Sequence, residues 1–321
     1  MKSDIKLFLA PFQGITPHTF RRVYAQHFEN VDKYFTPFFA KIDHQSRLSA
    51  RKEFELQHLT STSAEVVPQI LSKDADEILR FAHLCANRGF RELNWNLGCP
   101  YPQVADKKRG SGMLPYPELI SDILEKVMPT MPLRFSIKCR LGYEKPEEIF
   151  NLIPVFNAYP IHELTVHPRI GKQLYSGQAD KNFLLQILPL INVPYVYNGD
   201  VFTVSDYAEI SGMMPDVKRF MIGRGILSNP FLPGEILHVD NYPERKIKLL
   251  RFLDDLYYGY RSDMNDRLTL LNVLKEYWDY LVNWFENPEK VKRIIKKVKT
   301  FDEYEDAVKR IFQEFEESKS K

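Results

Sequence analysis

The sequence predicts an α/β fold, a parallel eight-stranded (β/α)8 TIM barrel, followed by an all-helical C-terminal domain. Eight short runs rich in apolar, β-branched and aromatic residues recur over about 235 residues, and a helix signal follows each run. The runs are almost continuously apolar, which is typical of strands buried on both faces. Beyond about residue 240, glycine nearly disappears and apolar residues recur every three or four positions, as in packed helices.

The eight runs define the predicted strands in chain order. They cover residues 6–12, 33–39, 65–71, 91–97, 134–141, 163–168, 194–200 and 219–225. A doubly wound sheet is the alternative, but it requires a glycine-rich turn after the first strand. The turn here, APFQGITPHTF, contains no GxGxxG, so the barrel is favoured.

Helix signals fill the intervals between the runs. The barrel candidates are residues 17–28, 73–89, 115–128, 145–156 and 203–210, and the tail candidates are 244–262, 268–285, 288–299 and 301–318. The segment 73–89 shows an apolar face and a glycine stop at Gly89. We therefore predict a barrel domain over residues 1–240 and a helical domain over residues 241–321.

Composition indicates a globular enzyme rather than a secreted or membrane protein. The 321 residues are 44% hydrophobic and 27% charged, with a net charge of +2, which neither requires nor opposes a nucleic-acid partner. The three cysteines, Cys85, Cys99 and Cys139, cannot all form disulfide bonds, and none of them has CxxC spacing. We therefore expect no metal site and no disulfide framework, and a protein that resides in the reducing cytoplasm. The N-terminal apolar run is too short for a signal peptide, and no run is long enough to span a bilayer.

Polar residues end several of the apolar strands, and barrel enzymes place their sites at these carboxyl ends. Burial of a polar group without a partner is unfavourable, so convergence on one mouth indicates a shared ligand. Each residue alone is also compatible with a structural role. The strand-end residues are Pro11, Phe12, Gln69, Asn96, Cys99, Lys138, Arg140, His167, Arg169, Asn198, Gly199, Asp200, Gly223 and Arg224.

Three loops at the predicted mouth carry specific signals. The turns Asn198–Asp200 and Gly223–Gly225 follow strands seven and eight, where this fold commonly binds phosphate. The stretch NWNLGCPYP places Cys99 between Gly98 and Pro100, within reach of a ligand rather than in a core. The loop 100–114 that follows contains Lys107, Lys108 and Arg109, which suits a polyanionic substrate but is also typical of a solvated surface.

The motifs APFQGIT, PQIL, NLGCP, GSGMLP, IKCRLG, VHPR with YSG, NGD and MIGRGILSNP resemble, in order and spacing, those of the tRNA-dihydrouridine synthases. The resemblance covers the barrel nearly end to end, and the tail is similar to the family's C-terminal RNA-binding domain. RLG and LKEYWDYL are most similar to the bacterial branch that reduces uridine 16 in the D-loop.

The resemblance implies an FMN-dependent barrel that reduces a tRNA uridine to 5,6-dihydrouridine with NADPH. By this resemblance, hydride would pass from flavin N5 to uracil C6, and Cys99 would protonate C5 as the general acid. A thiol with an ordinary pKa near 8.5 is mostly protonated at neutral pH. The resemblance also implies a cytoplasmic enzyme with tRNA as its partner and no membrane association, and we expect a monomer.

The resemblance assigns the remaining site residues to ligands. Gln69, Asn96, Lys138 and His167 would contact the isoalloxazine and ribityl groups, with Pro11 and Phe12 beside them. The FMN phosphate would be held by Asn198, Gly199, Asp200, Gly223 and Arg224. The tRNA phosphates would be contacted by Lys107, Lys108, Arg109, Arg140 and Arg169, and by the basic segment 290–299, for which a solvated face is an equal alternative.

Four residues, in three of these motifs, depart from the family pattern. Phe12 stands where methionine is usual, Pro168 and Ile170 replace the glycine and threonine of His-Gly-Arg-Thr, and Phe231 stands where tryptophan is common.

Three other functions stay open: an FMN enzyme acting on a free pyrimidine, a catalytically silent flavin- or RNA-binding homologue, and a flavin-free phosphate-binding barrel such as an aldolase. The helical tail and the basic loop argue against a small substrate.

Overall fold

The computed structural model describes residues 4–43, 45, 47–239, 244–263 and 267–318. Eight parallel strands form a closed barrel in which each strand pairs with its neighbours in sequence and β1 pairs with β8. The strands are β1 (Lys6–Leu9), β2 (Lys33–Phe39), β3 (Glu65–Ile70), β4 (Glu92–Leu97), β5 (Arg134–Gly142), β6 (Leu164–Ile170), β7 (Tyr195–Asn198) and β8 (Arg219–Ile222). The predicted fold class is confirmed.

Every predicted strand run contains a strand, but the run 65–71 ends one residue too late, and the runs 6–12, 194–200 and 219–225 end two or three residues too late. The strands β1, β7 and β8 end at Leu9, Asn198 and Ile222, because the residues beyond them leave the sheet to form the barrel mouth. In β1 and β8 these ends are level, since Leu9 pairs with Ile222. The over-predicted residues are therefore the loop residues on which the candidate site is built.

Helices cover the outside of the barrel and form the tail. They are α1 (His18–His27), α2 (Ala50–Glu55), α3 (Ala75–Ala86), α4 (Pro102–Ala105), α5 (Pro117–Val127), α6 (Ile149–Asn157), α7 (Lys181–Ile187), α8 (Val204–Met213), α9 (Arg224–Ser228), α10 (Leu232–Ile236), α11 (Arg245–Asp263), α12 (Arg267–Leu281), α13 (Pro288–Lys297) and α14 (Phe301–Glu314). The helix segments named from the sequence did not include residues 50–55, 102–105, 181–187, 224–228 and 232–236. The first of these helices buries no residue, so it shows no apolar periodicity.

Two strand prolines lie where the sheet register is irregular. The pairing of β2 with β3 shifts between Phe35 and Phe38, around Pro37. The pairing of β5 with β6 shifts where Arg140–Gly142 faces His167–Ile170, around Pro168. Proline lacks the N–H that a regular ladder needs, and bulges accept it. The departure at Pro168 is therefore accommodated by a bulge in the strand that carries His167.

The helical tail packs tightly on the barrel through aromatic rings. Phe252 in α11 lies 6.1 Å, 6.2 Å and 5.1 Å, ring centre to ring centre, from Phe20, Tyr24 and Phe28 in or next to α1. Tyr277 in α12 lies 5.4 Å from the same Phe20. One continuous apolar core joins the two parts. The predicted boundary at residues 240–241 lies outside the described residues.

A cluster of charged side chains occupies the opposite, amino-terminal end of the barrel. The ammonium of Lys33 donates to Glu92 at 2.7 Å and to Glu163 at 2.5 Å. Arg219 also contacts Glu163, at 3.1 Å. Burial raises the pKa of the Glu92 carboxyl, although the charge of Lys33 opposes this shift. His162 also lies close to both carboxylates, but the lysine already occupies the position between them.

Candidate active site

Two adjoining cavities open at the carboxyl ends of the strands. The first cavity is lined by the predicted residues Pro11, Phe12, Gln69, Asn96, Cys99 and Lys138. The second cavity is lined by Pro11, Phe12, Lys138, His167, Asn198, Gly199, Gly223 and Arg224. Because Pro11, Phe12 and Lys138 line both, the cavities form one continuous site, and the structure brings these predicted residues together.

A chain of hydrogen-bonded side chains inside the barrel fixes the orientation of Asn96. The amide of Asn96 donates to Gln69 at 2.7 Å, and Gln69 donates to Asn94 at 2.8 Å. Asn94 donates to Ser136 at 2.9 Å, and Ser136 donates to Glu92 at 2.7 Å. Each side-chain amide in this hydrogen-bonded series donates toward the Glu92 carboxylate. The side-chain oxygen of Asn96 therefore faces the other way, toward the barrel mouth.

The backbone of Cys99 is held by hydrogen bonds to a residue close in sequence, Asn96, and to a more distant residue, Ser111. The Asn96 side-chain oxygen accepts the backbone N–H of Gly98 and of Cys99, each at 2.9 Å. The Cys99 carbonyl accepts from the backbone and the hydroxyl of Ser111, each at 3.0 Å. The position of the thiol therefore depends on β4 beneath it and on the returning loop above it.

Gly110 allows this loop to lie directly on Cys99. Its φ is +55°, and a Cβ added there would lie 2.6 Å from the Cys99 carbonyl oxygen and 2.9 Å from the Cys99 Cβ. Non-glycine residues rarely adopt this φ, and a contact below 3 Å to backbone cannot be relieved by a side-chain rotation. The glycine is thus required by both the conformation and the close approach.

We predict that Gly110→Ala lowers the free energy of unfolding by about 2 kcal/mol or more, the combined effect of left-handed strain and the clash. Chemical denaturation monitored by circular dichroism measures this change. Gly212→Ala is the matched control, because a Cβ at this position in α8 meets nothing within 4 Å. Equal stability of the two variants would contradict the proposed contact between the loop and Cys99.

The thiol of Cys99 keeps its proton at neutral pH. Burial raises its pKa, and this effect outweighs the opposing hydrogen bond from the Tyr101 backbone and the charges of Arg140 and Lys138. A thiolate nucleophile requires the reverse shift. The surroundings of Cys99 therefore suit a group that donates a proton.

Lys138 responds to pH near neutrality. Burial, followed by the positive charge of Arg140, lowers its pKa to about 7. The neutral amine is thus well populated in the ligand-free protein. A ligand that presents hydrogen-bond acceptors or negative charge to this amine would restore the ammonium form.

His167 is neutral, and its tautomer follows from its partner. Burial lowers its pKa well below the ordinary value, and the charges of Arg140, Lys138, Arg169 and Arg224 add to this shift. The guanidinium of Arg169 lies 2.9 Å from Nε2 of His167. Because arginine can only donate, Nε2 accepts and the ring proton resides on Nδ1. His167 can therefore offer an N–H donor to a ligand.

Asp200 connects two arginines instead of facing the second cavity. Its carboxylate accepts from Arg169 at 2.9 Å and 2.6 Å, from Arg224 at 2.6 Å and from the Ala179 amide at 3.0 Å. Burial opposes ionisation of Asp200, but the hydrogen bond from Arg169 and the neighbouring charges outweigh it and lower the pKa. A phosphate contact was predicted for this residue, whereas the structure gives it the role of holding Arg224 in place.

Two arginines predicted to contact tRNA are buried. Arg140 and Arg169 are each only 2% exposed. Arg140 donates to the carbonyls of Gly98, Ile170 and Leu174, at 3.0, 2.8 and 2.6 Å. Arg169 donates to Asp200 and to the Gly177 carbonyl. Because both guanidinium groups already donate to acceptors within the protein, the two arginines hold the mouth loops in place and do not project toward a large substrate.

The remaining predicted residues lie on the loop after Cys99 and at the end of β7. Lys107 and Lys108 are exposed on the loop after Cys99, and Arg109 is half-buried. The Lys108 ammonium lies 4.0 Å from the centre of the Tyr116 ring. Asn198 donates to the Met221 carbonyl at 2.8 Å, which ties the end of β7 to β8.

The glycine turns after β7 and β8 leave no room for side chains. A Cβ at Gly199 would lie 2.3 Å from the Tyr197 hydroxyl, and a Cβ at Gly223 would lie 2.7 Å from the Phe12 ring. These turns therefore form a tight cradle next to Arg224. The side chains that line this cavity include the nitrogen donors Lys138, His167 and Arg224, which fit an elongated ligand with an anionic end.

Several residues that line the site were not predicted. The rings of Tyr101 and Tyr175 and the side chains of Glu276 and Tyr280 line the first cavity. Tyr175 lies 5.3 Å from the Arg140 guanidinium and 5.0 Å from that of Arg224. The YSG motif was a signal for Tyr175. Glu276 and Tyr280 belong to the helical tail, where no local pattern indicates a catalytic mouth.

Comparison with known proteins gives a consistent result. A family model described as dihydrouridine synthase (Dus) matches residues 8–317. The chain is 28% identical over 228 residues to a tRNA-dihydrouridine synthase B of Pasteurella multocida, covering 71% of this chain and 67% of that protein. It is 26% identical over 309 residues to a tRNA-dihydrouridine(16) synthase of Vibrio parahaemolyticus, covering 93% and 92%.

Solved structures support the fold. Morphinone reductase superposes with a TM-score of 0.50 at 11% identity, covering 75% of this chain and 88% of that one. At this identity the likeness concerns the barrel architecture alone. No helix among the described residues is long and apolar enough to cross a membrane.

Proposed function

The chain belongs to the dihydrouridine synthase family, and from this membership we propose that it reduces a uridine in the D-loop of tRNA to 5,6-dihydrouridine, with FMN as cofactor and NADPH as reductant. The observation that carries the proposal is a buried, protonated thiol, Cys99, in one cavity with Gln69, Asn96 and Lys138. Such a thiol is suited to donate a proton next to a reducing group.

The residues of the two cavities fit an FMN molecule. Gln69, Asn96 and Lys138 offer donors and acceptors for the polar edge of the ring system, and His167 offers its Nδ1 proton beside them. Gly199, Gly223 and Arg224 would hold the phosphate end. When bound, the flavin supplies the hydride, and the protein supplies its position and the proton.

Cys99 is the acid in this proposal. The thiol must lie within reach of uracil C5 and keep its proton until it donates that proton to this carbon. Asn96 and Ser111 hold its backbone on two sides, and burial preserves its proton. Lys138 and Arg140 lie close enough to stabilise the thiolate that remains after transfer.

The tRNA would lie across the mouth and the helical tail, and its target base would leave the stack to enter the cavity. Lys107 and Lys108 are exposed on the loop that follows Cys99. In the tail, α13 buries Val291 and Ile295 and exposes a basic face. The exposed cations in and just beyond this helix are Lys290, Arg293, Lys296, Lys297 and Lys299. Lys and Arg on one face can contact successive phosphates.

We predict that binding of FMN to the flavin-free protein at pH 8 is accompanied by uptake of up to about one proton. The amine of Lys138, with a pKa of about 7, is mostly neutral before binding, and acceptor groups of the ligand favour its charged form. Calorimetric titration in two buffers with different ionisation heats measures the uptake.

The same shift affects the flavin-free fold. The pKa of Lys138 in the folded protein lies below the ordinary 10.5, so protonation of the buried amine lowers the free energy of unfolding below pH 7. This destabilisation disappears as the pH rises toward 10.5.

Lys138→Met is the control for the calorimetric experiment. It removes the titrating amine and should abolish most of the proton uptake on FMN binding. Full uptake in that variant would show that another group titrates.

Purified protein tests the proposed function. With NADPH and an unmodified tRNA transcript, the yellow protein should form dihydrouridine, while free uracil and orotate should remain unchanged. Turnover of orotate without dihydrouridine would favour an enzyme acting on a free pyrimidine. A colourless protein without flavin absorption would favour a flavin-free barrel, and a yellow, tRNA-binding protein without turnover would favour a silent homologue.

A further inference from the structure

We propose that Glu276, a residue of the helical tail, recognises the target base by accepting a hydrogen bond from the N3–H group of uracil, and that Tyr280 forms the wall beside it. This inference rests on the proposed function, because it concerns the base on which that reaction acts. It assigns the tail a second role: the tail completes the catalytic cavity as well as binding RNA.

The geometry places both residues at the cavity that holds the catalytic thiol. Glu276 and Tyr280 are four positions apart on α12, so they share one face of the helix. The Tyr280 ring meets the Phe12 ring edge-on, with 5.9 Å between centres. The Glu276 carboxylate lies 3.9 Å from the position of a Cβ on Gly14, in the loop that follows β1.

The chemistry of the cavity singles out Glu276. It is the only carboxylate among the described residues that line the cavity containing Cys99. Within the described part of the chain, the Glu276 carboxylate has no hydrogen-bond or ion-pair partner, and its side chain stays accessible. Partial burial and the negative charge of Asp279 raise its pKa, so its ionised form gains from a nearby donor.

Uracil presents a donor that this acceptor fits. Its ring has two carbonyl acceptors and one donor, N3–H, and the other polar groups of the cavity include donors such as Lys138, Gln69 and Asn96. Cytosine has an unprotonated N3, so its lone pair would face the carboxylate without a proton between them. A site built to bond one N–H group discriminates strongly against a base that lacks it.

The test uses the full-length, flavin-loaded protein with its flavin reduced by NADPH and then mixed with tRNA in the absence of oxygen. The variants are Glu276→Ala and Glu276→Gln, and the control is Glu125→Gln, an exposed carboxylate on α5. We expect unchanged flavin reduction by NADPH in all variants. Oxidation of the flavin by tRNA should slow by about 10- to 100-fold in Glu276→Ala, less in Glu276→Gln and not in the control.

A second substrate separates base recognition from a structural effect. A transcript carrying N3-methyluridine at the position that the wild-type protein modifies lacks the N–H group. The wild-type protein should lose most of its rate on this transcript, whereas Glu276→Ala should lose little more. Wild-type rates in Glu276→Ala, or equal losses on the methylated transcript in both proteins, would overturn the inference. A wild-type protein that makes no dihydrouridine would overturn the proposed function itself.

Discussion

Replacement of Cys99 by alanine is expected to reduce dihydrouridine formation by about 10²- to 10⁴-fold, the usual contribution of a general acid. The flavin should stay bound and should still be reduced by NADPH, because neither step needs the thiol. The backbone contacts of Cys99 to Asn96 and Ser111 involve main-chain atoms, so alanine preserves them. The loss should therefore fall on the half-reaction with tRNA.

Rapid-mixing absorbance of the flavin measures the two half-reactions separately. Cys85→Ala is the matched control, because Cys85 is a buried thiol in α3 outside the site. Cys99→Ser should also be slow, since a hydroxyl is a much weaker acid than a thiol. Dihydrouridine formation by Cys99→Ala at the wild-type rate would show that another group supplies the proton.

Asp200→Asn is expected to lower the free energy of unfolding by about 3 kcal/mol, the effect of removing one partner from a buried ion pair. The Arg169 side chain is 1% exposed and donates to both carboxylate oxygens of Asp200. Loss of the charge leaves that guanidinium uncompensated and frees Arg224, so FMN affinity should fall as well. Chemical denaturation and flavin titration measure the two effects.

Glu209→Gln provides the comparison, because Glu209 pairs with Lys181 on the surface and such pairs contribute little. The pKa of Asp200 is lowered in the folded protein. Its stabilisation is therefore present above the ordinary carboxyl pKa of about 3.9 and is lost as the pH falls through the folded value. The difference between wild type and Asp200→Asn should shrink in that acid range. A constant difference would contradict the role given to the carboxylate.

The barrel could be predicted from the sequence because strands buried on both faces leave a strong apolar signal. The polar residues that interrupt this signal, such as Gln69, Asn96 and Lys138, mark the strand ends and converge as expected. The length of β1, β7 and β8 could not be predicted, because the residues past Leu9, Asn198 and Ile222 are also compatible with strands. Only closure of the barrel decides where the chain leaves the sheet.

Other features of the site depend on distant parts of the chain. Glu276 and Tyr280 enter the cavity because α11 and α12 pack on α1, which is a tertiary contact without a local signature. Arginine is usually exposed, so the sequence predicts exposed side chains for Arg140 and Arg169. Both are buried because the mouth loops fold over them. Sequence position at a strand end therefore predicts proximity to the site but not the direction of the side chain.

Two residues that depart from the family motifs, Phe12 and Phe231, pack against other side chains of this protein. Phe12 fits because Gly223 leaves room for its ring and Tyr280 packs against it. Phe231 lies 5.1 Å, ring centre to ring centre, from Phe28 and 6.3 Å from Trp284 in the tail. These substitutions belong to the joint between the barrel and the tail, and they leave Cys99 unchanged.

A single-turnover experiment tests the central claim most directly. The FMN-loaded protein, reduced with one equivalent of NADPH in the absence of oxygen, is mixed with unmodified tRNA, and flavin absorbance and dihydrouridine are followed together. We expect the flavin to be reoxidised as one dihydrouridine forms per flavin, and Cys99→Ala to suppress both signals. A flavin that stays reduced in the presence of tRNA, or is reoxidised without dihydrouridine, would contradict the proposed function.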